Sequence, residues 1–150
     1  QNSTYALIHE TEKKMRFNLS KQSERSSIHK FTDHHFKDEN FAKLGTIEVK
    51  STRLDSLFRQ KIIDVDKFDT LITDCQGADL AVIKSLGKEI FRFKLIISEV
   101  FFEPCYQNIE LACSYQDYMQ LQKFRLIGEF NRRLKWSNYI FLSEKGNLPL

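Results

Sequence analysis

The chain has 150 residues and a mass of 17.8 kDa, with 41% apolar residues, 29% charged residues and a net charge of +3. That is the size of one domain with a buried core, and the scarcity of Gly (5) and Pro (2) argues against collagenous, linker-like or turn-rich all-β chains. So small a positive surplus does not by itself mark a nucleic-acid or membrane partner.

From the N-terminus, Thr4 to Ile8 reads as a short buried strand, and Met15 to Leu19 alternates apolar and polar residues with a period of two. The charged stretch His9 to Lys14 between them suggests a hairpin. From Ser20 to Leu44 the chain turns polar, which predicts a long loop with one short helix near Phe36 to Leu44. Thr46 to Lys50 alternates as a strand, and Thr52 is placed to cap a helix carrying Leu54, Leu57 and Phe58.

The centre is more regular. Thr70 to Asp74 is a β-rich strand ending in a carboxylate, and Gly77 opens a helix with Leu80, Ala81, Ile83 and Leu86 as its apolar stripe and Gly87 as its stop. Leu95 to Val100 is a second, nearly continuous apolar strand with Glu99 near its carboxyl end. Ile109 to Lys123 places Leu111, Tyr115, Tyr118 and Met119 on one helical face. Phe124 to Phe130 and Asn138 to Leu142 are too close for a crossover helix and should pair antiparallel. The order predicts an α/β fold: a mainly parallel sheet with a terminal antiparallel strand and right-handed crossovers. Ligands of such sheets bind beyond the carboxyl ends of the strands, where Asp74 and Glu99 should meet at one rim.

Several chemistries are excluded or unsupported. The glycines at 45, 77, 87, 128 and 146 are too widely spaced for a G-x-G-x-x-G or a G-x-x-x-x-G-K-[ST] loop. Cys75, Cys105 and Cys113 form no C-x-x-C pair, so neither a disulfide framework nor a structural zinc site is indicated, and a reducing, cytoplasmic setting is expected. The sequons at Asn2 and Asn18 are short enough to arise by chance. Apolar runs such as Leu95 to Ile97 fall far short of a membrane span. Asp33, His34, His35, Asp38 and Glu39 lack zinc-like spacing and read as a solvated loop. Cys75 has no assigned His partner and reads as a small buried hydrophobe, and Arg132, Arg133, Lys135 and Trp136 as a solvated hairpin turn rather than a nucleic-acid contact.

Val49-Lys50-Ser51-Thr52-Arg53-Leu54-Asp55, the block Leu71-Ile72-Thr73-Asp74-Cys75-Gln76-Gly77-Ala78-Asp79-Leu80 with Val82 to Leu86, and Leu95 to Val100 together resemble the C-terminal two-thirds of the FkbM-type methyltransferases. Ser26-Ser27-Ile28 and the closing strand Asn138 to Phe141 fit as well, so the resemblance spans roughly Thr4 to Leu142. It implies a Rossmann-like, S-adenosylmethionine-dependent fold, with residues 1–150 a partial domain whose N-terminal cofactor-loop portion, including the glycine-rich loop and the ribose-binding acid, is expected before Gln1. Asp79 stands where the family usually has Glu. By analogy with the fold, Ala6 and Leu7 would line the adenine.

Methyl transfer to a hydroxyl needs positioning and a group that takes the acceptor's proton. Asp74 is the expected base, on the cofactor's reacting side, with Gln76 as its orienting partner and Glu99 as a second polar wall. Asp74 and Glu99 are also candidate ligands for Mg²⁺, as hard oxygen donors. Asp79 in a first helical turn has a plain alternative as a dipole-favoured carboxylate, and Gly77 as a backbone necessity. The function implied is O-methylation of a saccharide or small-metabolite hydroxyl, with that acceptor as partner, neither nucleic acid nor membrane, and a homo-oligomer left open. The alternatives are an inactive methyltransferase-like module used for binding or assembly and, more weakly, a nucleic-acid methyltransferase or binder.

Overall fold

The computed structural model describes residues 5–8 (5–7 as backbone only), 13–32 and 43–145. The loop Asp33 to Glu39, the predicted helix near Phe36 to Leu44 up to residue 42, the sequon at Asn2 and the turn at 9–12 lie outside the described residues.

Two sheets organise the chain. In the first, β1 (Tyr5–Leu7) pairs parallel with β3 (Lys43–Thr52), and β2 (Lys14–Ser20) pairs antiparallel with the other side of β3. The predicted hairpin of the first two strands is therefore not formed: β3 lies between them. In the second, the order is β4 (Thr70–Thr73), β5 (Leu95–Phe101), β7 (Trp136–Ser143), β6 (Phe124–Phe130). Here β4 and β5 are parallel, whereas β7 is antiparallel to both β5 and β6.

The expected mixture of α and β is correct, but the expectation of a mainly parallel sheet needs correction. Only one of the three ladders in this sheet is parallel. The last strand is not at the edge; it is inserted between β5 and β6. The reason is the short β6–β7 connection, which forces an antiparallel pair, combined with the apolar run in β7. Tyr139, Phe141 and Leu142 are buried, and an interior position covers them better than an edge does.

Among the described residues three α-helices accompany the sheets: α1 (Leu54–Arg59), α2 (Asp79–Lys84) and α3 (Ala112–Leu121). The last two are shorter than their sequence patterns predict. Thr52 does not cap α1; it ends β3, and the backbone N–H of Leu54 is bonded by the Ser85 hydroxyl from the end of α2 (3.1 Å). The main core joins Leu80, Ile83 and Leu86 to Ile96 and Val100 of β5 and to Met119 of α3, all essentially inaccessible. Period-two alternation sends Ile96, Ser98 and Val100 to one face of β5 and Glu99 and Phe101 to the other. Thr73, Ser98 and Tyr115 satisfy one another inside this core through hydroxyl contacts of 2.7 and 2.9 Å. Among the described residues no helix is long and apolar enough to cross a membrane.

A second cluster, Phe31, Phe101, Cys105 and Tyr106 with Trp136 packed against it, ties the loop after β2 to the segment after β5. Phe31 and Tyr106 form an isolated antiparallel bridge and a tilted ring contact at 5.8 Å. This cluster floors the candidate site.

Candidate active site

The turn from β4 into α2 is the most constrained part of the chain. Gln76 and Gly77 both have positive φ, 50° and 91°, so the backbone reverses sharply after Asp74. A Cβ on Gly77 would lie 2.7 Å from Ile109 Cγ2, so this position needs glycine for both conformation and space. Asp79, 1% exposed, closes the turn: its two oxygens accept the backbone N–H of Cys75 (2.9 Å) and of Gly77 (3.3 Å). Burial pushes its carboxyl up to about 6, against the backbone bond from Cys75, which lowers it. A residue expected to serve either the helix dipole or a ligand thus holds backbone donors.

Gln76 is gripped from both sides. The Ser27 hydroxyl donates to its carbonyl oxygen (2.7 Å), and the Tyr106 hydroxyl donates to its Oε1 (2.8 Å). Its Nε2 in turn donates to Asp74 Oδ1 at 2.7 Å. A neutral relay therefore runs from buried Tyr106 through Gln76 to the exposed carboxylate of Asp74, and it fixes which way that carboxylate faces. Gln76, expected as an orienting partner, is bonded to Asp74, and Tyr106 supports it from its other end.

Asp74, Gln76 and Glu99 line one cavity of about 560 Å³ at the carboxyl ends of β4 and β5, the place where ligands bind in open α/β sheets. Glu99 is 7% exposed, and its Oε2, shielded from solvent, has no hydrogen-bond partner among the described residues. Burial, then the nearby charges of Asp74 and Asp79, push its carboxyl up to about 8, so at neutral pH it is mostly a proton donor.

The rest of the lining comes from elements distant in sequence: Glu24 and Arg25 from a 3-10 turn, Phe101, Cys105 and Tyr106 from β5 and its connection, and Arg133 to Trp136 from the β6–β7 turn. Sequence reasoning missed all of these as site residues and read the last group as a solvated turn. No local signal marks them, because the β7 insertion and the Phe31–Tyr106 bridge bring them in. Cys75 is half-buried, and burial raises its thiol to about 12, which fits the packing role expected for it.

Ala6 and Leu7, expected to line the adenine, sit in β1, paired with Ser51 and Thr52 in the other sheet; their side chains lie outside the described residues. Among the described residues no three His, Cys, Asp or Glu side chains converge on one point. Asp79, the third acid nearby, is committed to backbone N–H groups. The geometry gives Mg²⁺ no support, and no chemistry is routed through it.

A cavity at the strand ends, walled by a held carboxylate and a buried, protonatable one, lies where α/β sheets of this class bind ligands. Within that class the sequence decides. The family described as Methyltransferase FkbM domain matches residues 2–126, and the chain belongs to that family, a family of methyltransferases. No curated protein and no solved structure matches the chain.

Proposed function

We propose that the chain works in S-adenosylmethionine-dependent O-methylation, with a hydroxyl of a saccharide or other small metabolite as acceptor and Rossmann-like strand ends as the reaction site. The observation that carries this reading is the Asp74 carboxylate, oriented by Gln76, lining one cavity with the buried Glu99 in a methyltransferase-family domain. S-adenosylmethionine, when bound, supplies an electrophilic methyl group on a sulfonium sulfur. A cavity wall with one carboxylate and one buried carboxyl group fits that cationic reacting end, and these residues would face it.

The chain's own groups then do three things. Asp74 accepts the acceptor hydroxyl's proton, its free oxygen aimed by the bond that Gln76 makes to the other. Glu99, held protonated by burial, donates to a neighbouring oxygen of the acceptor and so fixes its orientation. Tyr106 acts as a positioning residue: its hydroxyl donates to Gln76, which in turn holds Asp74.

Calorimetric titration of the full-length protein with S-adenosylmethionine tests the reading; an absence of binding would overturn it. In an active preparation, Asp74→Asn should lower kcat by about 10²- to 10⁴-fold. Tyr106→Phe should lower kcat several-fold with KM nearly unchanged, the mark of misoriented chemistry rather than lost binding.

A further inference from the structure

The cavity has a side that proton transfer does not use. Its acids Asp74 and Glu99 come from the ends of β4 and β5, while the β6–β7 turn and the start of β7 add Arg133, Leu134, Lys135 and Trp136 to the same lining. The cations of this turn are not equivalent. Arg132 is engaged: it pairs with Glu129 at 2.9 Å and lies 4.5 Å over the Phe102 ring. Arg133, its neighbour, has no hydrogen-bond or ion-pair partner for its guanidinium among the described residues, although its backbone N–H donates to the Trp136 carbonyl (2.8 Å) and so fixes the turn. Lys135 has only Glu103, at 3.8 Å and with both side chains open to water. An exposed pair of that length is weakly held, so a ligand can draw Lys135 away at little cost.

The apolar members of the turn point the same way. Leu134 is 86% exposed and lines the cavity, and Trp136 is half-buried, with the aromatic cluster behind it and the cavity in front. An indole beside two available cations is suited to a flat, hydroxylated ring that bears a negative group. A guanidinium binds carboxylate or phosphate through two parallel bonds, a geometry that a neutral hydroxyl cannot match. The volume, about 560 Å³, suits a small molecule.

We propose that the acceptor is an anionic hydroxylated small molecule, a sugar acid or a sugar phosphate, whose negative group is held by Arg133 and Lys135 while its ring lies against Trp136. The further placement of its reacting hydroxyl at Asp74 rests on the methyl-transfer reading; the anion site does not.

The test is calorimetric titration of the full-length protein with glucuronate, glucose 6-phosphate and glucose, each repeated on an Arg133→Ala/Lys135→Ala variant shown by thermal melting to be folded. At least one charged sugar should bind about tenfold or more tightly than glucose, and the double variant should abolish that preference while leaving S-adenosylmethionine affinity unchanged. Tighter binding of glucuronate identifies a carboxylate acceptor, and tighter binding of glucose 6-phosphate a phosphate ester. Equal affinity for all three sugars, no binding of either charged sugar, or a preference that survives in the double variant overturns the proposal. Charge-dependent sugar binding without any S-adenosylmethionine binding upholds the anion site and removes the methyl-transfer reading instead.

Discussion

Replacing Glu99 by Gln keeps the size and hydrogen-bonding shape of the side chain while removing its ability to ionise. In the folded protein burial raises this carboxyl from its ordinary 4.5 to about 8. Between those two values the native state keeps a proton that the unfolded chain releases. Stability contributed by such a group is fully present below pH 4.5 and is lost as pH rises through about 8, at ~1.4 kcal/mol per pH unit. Across the whole interval the loss amounts to about 5 kcal/mol, a large fraction of a small domain's total. Asp79 titrates in the same direction, with its carboxyl raised to about 6, and its charge helps to raise Glu99, so the two titrations are coupled. Denaturant unfolding of wild type and Glu99→Gln at pH 5, 6, 7 and 8 therefore reads Glu99 together with that coupling. The two should differ little at pH 5, and the variant should gain about 1.4 kcal/mol per unit relative to wild type up to pH 8. Parallel pH profiles would refute the reasoning, because they would mean that Glu99 ionises in the fold as freely as in the open chain.

Other expectations follow from the β4–α2 turn and its surroundings. Asp79→Ala strips the backbone N–H groups of Cys75 and Gly77 of their acceptor and should cost about 2–4 kcal/mol by denaturant unfolding. Gly77→Ala meets Ile109 Cγ2 and an unfavourable φ together, which should cost about 1–3 kcal/mol. Adding Ile109→Ala should relieve the clash but not the conformational strain, so the double variant should unfold at less denaturant than Ile109→Ala alone. In thiol labelling of the native protein at pH 8, Cys113 is exposed and should react first. Cys75 and Cys105, whose thiols burial raises to about 12 and about 11, should label only on unfolding.

Much of the site was legible one residue at a time. An acid that ends a β-rich run, followed by Gln-Gly and a helical stripe, marks a strand-to-helix turn at the rim of a sheet, and Asp74, Gln76 and Gly77 occupy that turn. The alternation in β5 likewise separates Glu99 from the helix-packed Ile96, Ser98 and Val100. These signals are local, since they depend on side-chain periodicity and on backbone conformations that few residues adopt. The family resemblance lies in the same stretch.

The β7 insertion was not legible, because strand order depends on which pairing buries the most apolar surface once all strands exist. Nothing near Arg133 or Tyr106 announces a binding role. The first faces the cavity because β7 runs back beside β5, and the second because Phe31, 75 residues earlier in the chain, bridges to it. Nor could the role of Asp79 be read from its place in a first helical turn, where a dipole contact, a ligand contact and a backbone clasp look alike until the neighbouring N–H groups are located. By itself, then, the sequence determined the elements, the turn and the acids at the strand ends, which short-range sterics and periodicity dictate. Tertiary packing alone decided which distant cations and aromatics complete the cavity, because burial and strand pairing act over the whole chain at once.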